Sequence, residues 1–74
     1  MEINKEFLKG KCKEVKKLVS DYDYLVAQQE IIYNDYKYTD KKVIAWNALN
    51  EAKSLLEKAE YELKEIEAQL RSII

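Results

Sequence analysis

The sequence predicts an all-α protein, an antiparallel two-helix hairpin of coiled-coil type that joins a second copy in a four-helix bundle, and three observations carry that expectation. Two long stretches repeat apolar residues at alternating steps of four and three, one polar cluster separates them, and 74 residues contain a single glycine, Gly10, and no proline. Alternating steps of four and three return a side chain to the same side of a helix every seven residues, which makes the seam of a coiled coil. The chain reads as one domain, residues 1–74, with helix 1 over about 3–36, a turn over about 35–40 and helix 2 over about 40–73.

Helix 1 carries the stripe Leu8, Cys12, Val15, Val19, Tyr22, Val26, Gln29, Tyr33 and Tyr36, with Gln29 the one polar break. Its charges are segregated. Lys5, Lys9, Lys11, Lys13, Lys16 and Lys17 crowd the start, and Asp21, Asp23, Glu30 and Asp35 follow. Helices favour acid at the N-terminus and base at the C-terminus, so this order opposes the dipole by a few tenths of a kcal/mol per charge, roughly, and packing must outweigh it. Gly10 inside the helix costs about 1 kcal/mol relative to alanine, which makes fraying of residues 1–10 an expectation.

The turn falls in Asn34-Asp35-Tyr36-Lys37-Tyr38-Thr39-Asp40, where turn formers replace helix formers and Thr39 or Asp40 is placed to cap the next helix. Helix 2 then has the stripe Ala45, Leu49, Ala52, Leu56, Ala59, Leu63, Ile66, Leu70 and Ile73, with no polar member. Folding back at the turn with a constant residue sum of 78 pairs Tyr33 with Ala45, Gln29 with Leu49, Val26 with Ala52, Tyr22 with Leu56, Val19 with Ala59, Val15 with Leu63, Cys12 with Ile66 and Leu8 with Leu70. Small alanines facing Val and Tyr let the helices approach closely. A dimer of continuous parallel helices is the alternative, but it puts Asn34 to Asp40 in a helix interior and leaves the matched layers unexplained.

Composition narrows the chemistry. With no histidine, one cysteine, no glycine-rich phosphate loop and no serine beside a recognisable base, the sequence offers no catalytic, cofactor or metal site, and the expectation is a protein that is not an enzyme. Cys12 reads as a small core residue. The glutamates of helix 2, from Glu57 to Glu67, alternate with Lys58, Lys64 and Arg71 and read as a solvated face, with Glu60–Lys64 and Glu67–Arg71 at the i, i+4 spacing that supports helices. A Glu-x-x-His metal pair of the kind bundle cores use is missing. No apolar run spans a bilayer and the start lacks a signal-peptide core, so no membrane role and a cytoplasmic location are expected.

Two surfaces remain. Leu18, Leu25 and Ile32 recur every seven residues beside the helix 1 seam, and Ala48 and Leu55 occupy the matching flank of helix 2, so an apolar patch for a second copy or another partner is expected. The resulting shape is similar to the Rop type of plasmid RNA-binding hairpin dimer, a likeness of architecture with no shared motif. Near the turn, Tyr24, Tyr38 and Trp46 stand outside the seam with Asp35 and Asp40 among them, and exposed Tyr and Trp are what binding hot spots are enriched in. These five are the candidate docking residues for a protein partner.

The functional expectation is therefore a non-catalytic protein–protein interaction module and homodimer, of the kind a small bacterial or phage inhibitor or adaptor uses against a host protein complex. Low glycine and richness in Lys, Asn, Tyr and Ile suit a low-GC bacterium or its phage. The alternative is a Rop-like nucleic-acid binder using the lysine patch from Lys5 to Lys17, although that stretch lacks arginine and the aromatics of a stacking platform. A basic-zipper role is excluded because no continuous basic helix leads into Leu49, Leu56, Leu63 and Leu70.

Overall fold

The computed structural model describes residues 5–73. Two helices make it up, α1 (Lys5–Tyr36) and α2 (Lys42–Ile73), 32 residues each, packed side by side along their length. At 1.5 Å per residue each is about 48 Å long, which accounts for an overall extent of 55 × 15 × 15 Å. Positions 3 and 4 of the expected helix 1, and the side chain of Ile73, lie outside the described part. Gly10 does not interrupt α1, which is helical from Lys5 onward.

The reversal is built on Thr39. Its main-chain N–H and its hydroxyl both donate to the Tyr36 carbonyl, at 3.0 and 2.7 Å, so the last turn of α1 is closed by one residue. The same hydroxyl accepts from the Lys41 N–H at 3.2 Å, and the Thr39 carbonyl accepts from Lys42 at 3.3 Å. Ala45 donates to the Lys41 carbonyl at 3.0 Å, the first bond of helical spacing in α2. Thr39, one of the two caps the sequence offers, thus caps the helix: its hydroxyl accepts from the N–H two residues on and its carbonyl from the N–H three residues on, and regular α-helix begins at Lys42. A connection this long reverses the chain with no described residue at positive φ, which is why no glycine is needed.

The seam takes the expected residues. Every buried hydrophobic side chain, namely Leu8, Cys12, Val15 and Val26 on α1 with Ala45, Leu49, Ala52, Ala59 and Ile66 on α2, belongs to the two stripes. Cys12, Val15 and Ile66 form one cluster flanked by Val19, Leu63 and Leu70, and Val26, Leu49 and Ala52 form another flanked by Leu25, Tyr33 and Leu56. Cys12 with Ile66, Val15 with Leu63 and Val26 with Ala52 share clusters as the 78 sum pairs them, and Leu25 joins from outside the stripe. Gln29 is only partly buried, so its amide keeps access to water and the polar break costs little. Tyr36 departs from expectation. It is 41 % exposed at the end of α1, beside the groove it lines with Ile44 and Ala48, and its ring lies 5.9 Å from Lys41 Nζ.

Charge contributes little to closing the hairpin. Lys11 Nζ and Glu62 Oε1 are 4.0 Å apart with both side chains about half exposed, a geometry worth about 0–1 kcal/mol. Arg71 does not use the Glu67 carboxylate in the i, i+4 manner; its Nε donates to the Glu67 main-chain carbonyl at 3.4 Å. Among the described residues no charged or polar residue is buried, so apolar burial holds the fold.

Candidate functional site

Helix geometry sorts the remaining side chains onto two flanks of the seam and two outer faces. On the first flank, Leu25, Gln29, Ala48, Ala52 and Leu55, with Glu51 beside them, line a shallow groove between the helices. Gln29 and Ala48 also line its continuation toward the turn, with Ile32, Tyr36 and Ile44. Four of the five residues expected to form an apolar patch are thus brought together. Leu18 stands one heptad beyond, 42 % exposed, and Ile32 and Leu55 are exposed to nearly the same degree. Beyond Leu18 the stripe ends in the Lys11–Glu62 pair.

The groove also contains Ile44 and Tyr36, which the sequence reading did not assign to it. Ile44 is 71 % exposed, and a signal for it existed, since it lies four residues before Ala48 and extends the stripe by one turn. Ile31 and Val43 are likewise exposed apolar side chains of the turn end with no seam role. Among the described residues, nine of the twelve exposed large hydrophobics fall between Tyr24 and Leu55, leaving Phe7, Leu18 and Tyr61 outside that span.

The five expected docking residues do not form one surface. Asp35, Tyr38 and Asp40 lie at the turn, with Tyr38 90 % exposed and Lys37 Nζ 5.3 Å from its ring centroid. Trp46 lies on the second flank, where its ring tilts at 52° against Tyr33 with centroids 5.3 Å apart. It is therefore anchored to a seam residue while 45 % of it stays open. Tyr24 is exposed on the outer side of α1, and by 1.5 Å per residue it stands about 12 Å further from the turn than Trp46. Of the five, Asp35, Tyr38 and Asp40 share the turn, and Trp46 stands apart from them against Tyr33.

The second flank turns basic toward the chain ends. Lys9, Lys13 and Lys16 border a groove with Cys12 and Leu70, and Lys16 also borders its neighbour with Glu67 and Arg71. The lysine face, without arginine in its own helix, gains Arg71 from α2. On the outer face of α2, Tyr61 shares a shallow depression with Ser54, Glu57 and Lys58, and the Glu65 carboxylate, through a hydrogen bond and its charge, raises the Tyr61 hydroxyl above the usual phenol range. Among the described residues no three His, Cys, Asp or Glu side chains gather as a metal site, and no helix is long and apolar enough to cross a membrane. Compared with protein-family models, with curated proteins and with solved structures, the chain matches none of them.

Proposed function

We propose that the chain is a non-catalytic protein–protein interaction module, a cytoplasmic inhibitor or adaptor that self-associates into a four-helix bundle and docks a protein partner at its turn end. One observation carries the reading: exposed large apolar side chains concentrate at the turn, with Ile31, Ile32, Tyr36, Tyr38, Val43, Ile44 and Trp46 all exposed within sixteen residues. Of these, Ile32, Tyr36 and Ile44 line one groove, and an exposed apolar groove marks an interaction site. Tyr38 and Trp46 supply rigid contact area, and Asp35 and Asp40 favour a basic partner surface.

The docking test must allow for the Tyr33–Trp46 contact. Trp46→Ala removes a seam-anchored ring and is expected to cost about 0.5–1.5 kcal/mol of hairpin stability as well as partner binding. Tyr38→Ala touches nothing in the seam and is expected to weaken partner capture with an unchanged melting curve. If Tyr38→Ala and Trp46→Phe both leave capture intact, the turn end is not the docking surface. Self-association is tested by Leu25→Glu, which places a charge in the first-flank groove and should convert a dimer into a monomer by sedimentation.

The convergence of Lys9, Lys13, Lys16 and Arg71 favours a second reading, a Rop-like nucleic-acid binder. Phosphate contacts give an affinity that falls steeply with salt, whereas an apolar docking surface does not. Replacing Lys9, Lys13 and Lys16 with glutamine should leave protein capture unchanged at physiological salt, and its loss would transfer the function to this face.

A further inference from the structure

We draw no further inference here: the strongest candidate, the first-flank groove that Leu25, Gln29, Ala48 and Leu55 line with Glu51, carries nothing because nothing in the structure shows what covers it.

Discussion

The half of the hairpin remote from the turn and the half next to it use the same heptad for different ends. Far from the turn, Leu8, Cys12, Val15 and Ile66 are buried beside Leu63 and Leu70, and among the described residues Phe7, Leu18 and Tyr61 are the exposed large apolar side chains there. Next to the turn, α2 alternates Ala45 and Ala52 with Leu49 and Leu56 in the seam, and Ile31, Ile32, Val43, Ile44 and Trp46 stand exposed outside it. The far half has put its apolar volume into the hairpin's own closure. The near half closes on Leu49 among smaller neighbours and leaves more of its large apolar side chains exposed.

The largest effect that separates the two uses compares one deletion at two isoleucines. Ile66→Ala empties a site that is 6 % exposed and is expected to cost about 2–5 kcal/mol, a large part of what a domain of this size possesses. Ile31→Ala removes the same atoms at a site 63 % exposed, on the outer side of α1, and is expected to change stability by about 0.5 kcal/mol or less. Urea unfolding followed by circular dichroism measures both. Equal losses would mean that Ile31 is already covered, by a second copy or by a seam different from the one described.

The close approach in the near half gives the next effect. Ala52 is 2 % exposed and packs with Val26 and Leu49, so Ala52→Leu must displace one of them and is expected to cost roughly 1–3 kcal/mol. Ala52→Ser adds one oxygen in place of three carbons and is expected to cost less. A stabilising Ala52→Leu would show that the near half is loosely packed and would remove the contrast between the halves.

The two halves were not equally legible in the sequence. Seam residues could be read because burial repeats with the helix, and a side chain that must be apolar every seven residues leaves a pattern free of exceptions, as in α2 from Ala45 to Leu70. Tyr36 follows the stripe yet stays exposed, because a seven-residue repeat drifts by about 20° per heptad round a straight helix and its last member faces the groove beside the seam. The start of α2 depends on two hydrogen bonds of the Thr39 hydroxyl, a local geometry that several turn sequences share. For the docking residues, composition located the turn end but not the flank. Trp46 and Tyr24 are both exposed aromatics near the turn, and only the folded helices place one against Tyr33 and the other on the outer side of α1.

Gly10 gives the smallest effect and the sharpest test of the far half. It sits in the middle of a helical stretch, on the outer side of α1 away from the seam, and a methyl group added there meets no atom within 4 Å. Space therefore imposes no penalty, and no positive φ favours glycine at that position. What remains is the backbone freedom that glycine retains in the unfolded chain and loses on folding, worth roughly 0.5–1 kcal/mol relative to alanine. Gly10→Ala should stabilise the hairpin by that amount, raising the melting temperature by about 2–8 °C for a domain of this length. The gain requires that residues around Gly10 be helical when the rest of the hairpin is folded. If they fray, alanine there should raise helicity at low temperature without moving the main transition. A melting temperature that rises together with the Leu8 and Cys12 layers would instead place Gly10 inside the cooperative unit and make it the weakest point of the half that holds the hairpin together.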